Sequence, residues 1–270
     1  MMQKKVLVLD IDGTLTNSQK EITGNTRRAI QDAILRGHTV ILASGRPTPG
    51  MRRYERELEL DKYGGYLLSF NGARIVECRT GEVIYQKTLP QGLLSSLYQF
   101  AGQHHMGLSV CMGDTVISAF EPDEYISLEA GINGLPIRVV DNFVEFVDFD
   151  MHKCLMTAPG EQAAIYEKEL QEQYGQMASI YRSEPYYVEV MPRDVTKASS
   201  LEKMLPILGV DRECIICCGD GYNDISMIRY AGLGVAMANA QPVVKEAADY
   251  ITASNDEDGI VQVIHEFMNY

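Results

Sequence analysis

In Val6-Leu7-Val8-Leu9-Asp10-Ile11-Asp12-Gly13-Thr14-Leu15, four uninterrupted apolar residues run into two aspartates one residue apart and a Gly-Thr pair. An apolar run of that length, with no polar alternation, predicts a strand buried on both faces of a parallel sheet. The polar residues behind it then fall at the strand's C-terminal end, the edge at which open parallel sheets bind ligands.

Working outward, the same pattern recurs. Ala29, Ile30, Ala33 and Ile34 keep helical spacing within residues 26–36, and Gly37 is a suitable stop. Residues 40–43 predict a second strand, 49–58 a charged helix and 66–70 a third strand. Near the other end, 214–218, 233–236 and 249–251 predict strands, while 222–230 and 258–268 predict helices. A further helix begins near Lys197, and Pro206 is expected to end or kink it early. Alternating strands and helices define an α/β fold with a doubly wound parallel sheet.

Between these halves the pattern changes. Residues 74–87 predict two short strands around Thr80-Gly81-Glu82. Helices at 91–104 and 161–174 then mix with short strands such as 116–120 and 186–190. The economical division is a discontinuous core, 1–83 and 190–270, with an α+β domain inserted at 84–189.

Composition narrows the partners. The chain is 46% hydrophobic and 23% charged, the balance of an ordinary globular protein. Its formal net charge of −13, from 24 Lys+Arg against 37 Asp+Glu, repels nucleic acid and anionic membranes, so neither is an expected partner. No obligatory protein partner is evident, and the apolar run before Asp10 is too short for a signal peptide or a membrane span. Cys78, Cys111, Cys154, Cys214, Cys217 and Cys218 are scattered through apolar stretches and predict buried free thiols, as in the cytoplasm. The C-x-x-C at Cys214 and Cys217 has no second pair or matching histidines and is read as a core strand.

Four polar clusters follow the predicted core strands: Asp10-Ile11-Asp12-Gly13-Thr14, Ser44-Gly45-Arg46, Asn71-Gly72 and Gly219-Asp220-Gly221-Tyr222-Asn223-Asp224. Lys197 opens the helix before the last of these strands. One carboxylate at a strand end is usually a turn or cap residue. Several carboxylates, a hydroxyl and a lysine converging on one edge are harder to explain as structure alone.

Together these motifs resemble the haloacid dehalogenase-like hydrolase superfamily, and its Cof-type branch with a large α+β cap in particular. The resemblance covers essentially the whole chain and implies a phosphatase acting on small phosphorylated metabolites. Sugar phosphates are favoured, with pyridoxal phosphate next. It implies Asp10 as nucleophile, forming an aspartyl-phosphate, and Asp12 as general acid and then base, which calls for a raised pKa. It implies Mg2+ held by Asp10, the backbone carbonyl of Asp12 and Asp220, an oxygen donor set that suits this ion. Ser44, Gly45, Lys197 and Asn223 would bind the phosphoryl group, with Asp224 orienting Lys197 or a metal-bound water from behind. Two positions depart from the family pattern: Ala198 follows Lys197, and Ala238 stands in Gly234-Val235-Ala236-Met237-Ala238-Asn239, each where glycine is usual.

Other residues remain open at this stage. Arg46 either reaches substrate or braces its turn, and Asn71-Gly72 either lines the site or turns the chain into the insertion. In the insertion, Glu121, Tyr125, Arg182 and Tyr187 are candidates to touch substrate. His104, His105 and His152 lack metal-ligand spacing, and Glu167-Lys168-Glu169 resembles a solvated helix face. Three alternatives share these motifs: a phosphomutase, a receiver-type phosphoacceptor and a non-catalytic regulator on the same scaffold.

Overall fold

The computed structural model describes residues 4–268. The first elements are β1 (Val6–Leu9), α1 (Gly24–Leu35), β2 (Thr39–Ala43), α2 (Thr48–Glu57), α3 (Leu60–Tyr63), β3 (Tyr66–Ser69), β4 (Arg74–Glu77) and β5 (Val83–Gln86). There follow α4 (Leu93–His104), β6 (Gly107–Met112), β7 (Thr115–Ser118), α5 (Glu124–Asn133), β8 (Ile137–Val139), α6 (Phe143–Phe146), β9 (Cys154–Thr157), α7 (Gly160–Tyr174), β10 (Ala178–Glu184) and β11 (Tyr187–Pro192). The last are α8 (Lys197–Leu208), β12 (Ile215–Gly219), α9 (Ile225–Tyr230), β13 (Leu233–Ala236), α10 (Pro242–Ala247), β14 (Tyr250–Ile251) and α11 (Gly259–Phe267). The chain divides into two compact units, one ending at Tyr85 and resuming at Thr196, the other Gln86–Val195.

The first unit is built on a sheet of order β14-β13-β12-β1-β2-β3-β4-β5. Strands β14 to β3 run parallel, and β4 turns back antiparallel to β3. Strand β1 is central and fully buried, as its sequence predicts, and its residues alternate between two cores. Leu7 and Leu9 join α1, α2 and α11 through Ile30, Met51 and Val263, while Val6 and Val8 join α8 and α9 through Leu201, Met204 and Met227. Each such side chain contributes about 1.5–3 kcal/mol through burial.

The second unit has a sheet of order β10-β11-β9-β6-β7-β8, antiparallel except between β7 and β8. Its own core gathers Leu97, Phe100, Leu108, Ile117, Met156 and Val188. Among the described residues no helix is long and apolar enough to cross a membrane.

Some elements differ from expectation for local reasons. Pro206 does not end α8, which continues to Leu208 and closes on Gly209 at φ 61. Pro206 lies in the exposed last turn, where water can satisfy the carbonyl whose partner it removes. Phe70 leaves β3 because it turns to φ 51, followed by Asn71 at φ 52. Cys214 sits in the turn before β12, and the six cysteines are free, with Cys111 only partly buried. The expected helix at 222–230 starts as a tight turn, Tyr222–Asp224, and becomes α9 only at Ile225. The Ala198 and Ala238 departures need no glycine: α8 already starts at Lys197, and Ala238 is not among the described residues with positive φ.

His38 joins the two ends of this unit. Its Nδ1 accepts from the Lys5 backbone N–H at 3.0 Å, so Nε2 carries the proton and donates to the Met268 carbonyl at 3.2 Å. Burial holds its pKa below the usual value, helped by Arg36 and Lys5 and opposed by the Met268 contact. A histidine depressed on folding contributes stability that is whole above about pH 6.5 and is lost as pH falls through the folded value. Urea unfolding between pH 7.5 and 5 should show a shallower acid loss for His38→Gln than for wild type. Parallel pH curves for the two proteins would disprove the latch.

Candidate active site

The sheet order puts β1 between β12 and β2, so the turns at their C-terminal ends meet. Asp10 leaves β1 with its N–H on the Cys218 carbonyl at 3.1 Å, and the chain then closes tightly: Leu15 N–H donates to Asp10 O, and Thr16 N–H to Ile11 O. Gly13 makes this turn at φ +83, and a Cβ there would lie 2.3 Å from Asp220 Oδ2. Only glycine lets the β1 and β12 turns approach this closely. Thr14 Oγ1 ties them further, donating to Asp220 Oδ1 at 2.8 Å.

Lys197 reaches the same point from the start of α8, whose first turn is capped by the Thr196 hydroxyl and Ser199. Its ammonium is fully buried and donates to Asp10 Oδ1 and to Asp224 Oδ1, each at 2.6 Å. The other oxygen of Asp224 accepts the backbone N–H groups of Asp220 and Gly221 at 3.0 and 2.9 Å. Asp224 therefore braces Lys197 and the β12 turn together. Lysine is held as the cation, because Asp10 and Asp224 raise its pKa against the effect of burial.

Carboxylates outnumber the cation. Burial, then the neighbouring Asp224 and Asp220, push Asp10 well above the usual range, against the pull of Lys197. Burial also lifts Asp220 to about 6, with Asp224 adding to the rise and the Thr14 hydroxyl opposing it. Oxygens of Asp10, Asp220 and Asp224 lie within 4.8 Å of one another. An all-oxygen donor set with excess negative charge fits a hard divalent cation. Because Asp224 already serves Lys197 and two N–H groups, Asp10 and Asp220 are the carboxylates available to it.

Asp12 lies in the opposite environment, and here the expectation of a raised pKa fails. Burial alone would raise it, but Arg46 and Lys20 outweigh that and hold it at about 2. Arg46 grips it with two prongs, Nε to Oδ2 at 2.7 Å and Nη2 to Oδ1 at 2.8 Å, and Lys20 Nζ adds a third contact to Oδ1 at 2.9 Å. Arg46 thus reaches beyond its own loop to hold Asp12.

Of the remaining candidates, Ser44 is buried, and its hydroxyl accepts from the Arg46 N–H at 3.2 Å. Gly45 packs against Asn71, where a Cβ would lie 3.3 Å from the Asn71 amide. Asn223 Nδ2 donates to Asn71 Oδ1 at 3.0 Å, which brings the turns after β2, β3 and β12 together. Asn71 thus belongs to the site rim, and its N–H is fixed on the Ser44 carbonyl at 2.9 Å. Sequence reasoning passed over Lys20, Thr14 and Asn239, whose Nδ2 holds the Gly13 carbonyl at 2.8 Å. Thr14 lies in the first motif and Asn239 closes the Gly234–Asn239 stretch, whereas Lys20 has no signal beyond being a polar residue in a loop.

Within the second unit, Tyr187 and Arg182 are engaged internally. Tyr187 Oη donates to the Tyr125 carbonyl at 3.0 Å, and Arg182 Nε donates to Glu167 at 2.8 Å. Glu167 is therefore not simply a solvated face. Tyr125 stacks on Tyr186 at 4.6 Å, and Glu121 is exposed.

Comparison with known proteins fits this geometry. Residues 7–264 match the family model described as haloacid dehalogenase-like hydrolase. A haloacid dehalogenase-like hydrolase from Bacteroides thetaiotaomicron superposes with a TM-score of 0.94 at 40% identity, over 97% of this chain and 99% of that one. The subclass IIB sugar phosphatase BT4131 gives 0.84 at 28% identity, over 98% and 99%. The 5-amino-6-(5-phospho-D-ribitylamino)uracil phosphatase YcsE of Bacillus subtilis is 30% identical over 98% of this chain and 96% of its own. The chain belongs to the haloacid dehalogenase-like hydrolase family, as a member of its phosphatase type.

A cation held by Asp10 and Asp220 competes with protons for the same oxygens. Mg2+ affinity measured by calorimetry should weaken by about tenfold per unit or more below about pH 6, where Asp220 protonates beside an Asp10 that is itself raised. Constant affinity down to pH 5 would remove Asp220 from the donor set.

Proposed function

We propose that this member of the haloacid dehalogenase-like hydrolase family is a Mg2+-dependent phosphatase that hydrolyses small phosphorylated metabolites through an aspartyl-phosphate on Asp10. One observation carries the reading: the Asp10 carboxylate is fixed by a buried ammonium beside Asp220, while a second carboxylate two residues away is held in a separate cationic clamp. A structural turn needs neither arrangement.

In the first half-reaction a carboxylate oxygen of Asp10 forms a bond to phosphorus as the ester P–O bond breaks. Asp12 gives its proton to the departing alkoxide, so an alcohol leaves. In the second half, water attacks the aspartyl-phosphate, Asp12 takes the water's proton, inorganic phosphate departs and Asp10 is regenerated. Lys197 offsets charge at Asp10 throughout and keeps its orientation through Asp224. Ser44, the Gly45 N–H and Asn223 are assigned to the phosphoryl oxygens. Mg2+, held by Asp10, the Asp12 carbonyl and Asp220, would supply the charge neutralisation that lets a carboxylate approach a phosphate.

The clamp keeps Asp12 ionised, which weakens it as a base and opposes its protonation as an acid, so both roles require that this pull be offset when substrate arrives. We assign the Gln86–Val195 unit to recognition of the leaving group, and the likeness to a subclass IIB sugar phosphatase supports sugar phosphates as the first class to test, with pyridoxal phosphate next. The same reading places the enzyme in the cytoplasm, in accord with six cysteines free of disulfides.

The test is phosphate release from sugar phosphates, pyridoxal phosphate and p-nitrophenyl phosphate with Mg2+. Asp10→Asn should abolish release, and Asp12→Asn should lower kcat by about 10²–10⁴-fold with KM little changed. Undiminished release by Asp10→Asn, or full activity in excess chelator, would overturn the mechanism.

A further inference from the structure

Beyond the Asp10–Thr16 turn, the chain leading to α1 brings Lys20 to the site. Asn17 organises it: Oδ1 accepts the N–H groups of Gln19 and Glu21, each at 3.0 Å, and its backbone pairs with Lys20 and Glu21 at 2.9 Å. Lys20 completes the turn in the left-handed region at φ 61. The turn is anchored from both sides, by Ser18 on Asp256 and by Arg53 Nη2 on the Lys20 carbonyl at 3.3 Å. Arg53 itself lies over the Tyr54 ring at 5.4 Å. A left-handed non-glycine residue fixed at several points is a built feature, not a passing loop conformation.

What this turn delivers is the Lys20 ammonium, 2.9 Å from Asp12 Oδ1. The two cations on Asp12 differ in kind. Arg46 is 8% exposed, with its guanidinium beside Tyr54 at 5.7 Å, so it is a fixed bidentate support. The Lys20 side chain is 57% exposed on a four-carbon stem, so it reaches Asp12 from the surface and can be replaced without disturbing the core. A carboxylate has about four acceptor sites. Among the described residues, Arg46 and Lys20 use two at Oδ1 and one at Oδ2.

We propose that Lys20 is a positioning residue for Asp12: it holds Oδ1 so that the carboxylate keeps one orientation and meets the reacting oxygen through Oδ2. Lys20 makes no contact with Asp10, Asp220 or Lys197 among the bonds described above, so its effect passes through Asp12 alone. The inference rests on the phosphatase reading.

Lys20→Met keeps the stem and removes the charge, and Lys20→Arg restores a cation. Because the pair is exposed, the expected loss for Lys20→Met is about two- to fivefold in kcat, with KM within about twofold and an unchanged melting temperature. Lys20→Arg should recover most of that loss. An unchanged kcat, a change confined to KM, or a Lys20→Arg enzyme no better than Lys20→Met would each overturn the role. Wild type and Asp12→Asn run alongside separate the two failures. Phosphate release by wild type with Lys20→Met equal to it rejects Lys20 alone, and no release by wild type rejects the phosphatase reading and Lys20 with it.

Discussion

A single buried ammonium holds the centre of this protein together. Lys197 contacts Asp10 and Asp224 at the same 2.6 Å, so it joins the β1 turn to the β12 turn across the middle of the sheet. Burying a lysine is costly unless its charge is matched. Here it is matched twice, and Asp224 gains further compensation from two backbone N–H groups. The remaining imbalance lies with Asp10 and Asp220, which are left with more negative charge than one lysine can offset. A centre in that condition favours protons or a divalent cation.

Two aspartates separated by one residue are driven in opposite directions. Burial, and then the carboxylates that share its one ammonium, raise Asp10, whereas Asp12 has two cations to itself and is lowered. The separation depends on residues far from the motif: Arg46 after β2, Lys20 in the turn before α1, and Lys197 at the start of α8.

The Gln86–Val195 unit is self-sufficient in its packing, with a separate sheet and a separate apolar core. It also has a buried ion cluster of its own: Lys153 lies 3.1 Å from Glu189 and 3.7 Å from Glu129. Glu189 and Glu129 hold that lysine charged against the effect of burial. Such a unit can change its exposed residues without altering the carboxylate centre, whose parts all come from the other unit.

The sequence by itself determined the buried strands, the sheet class and the carboxylates at strand ends, because each depends on local pattern. The four apolar residues before Asp10 needed no neighbour to be read as a buried strand. Only the tertiary structure decided which charges meet. Lys197 is 187 positions from Asp10, and Arg46 is 34 from Asp12. Sheet order set the first pairing, and loop packing set the second. Proton affinity follows from those long-range distances, which is why Asp12 was expected to be raised and is found lowered. Lys20 shows the same limit at short range: eight residues from Asp12, it became part of the site only because Asn17, Asp256 and Arg53 fold its turn back toward the carboxylate.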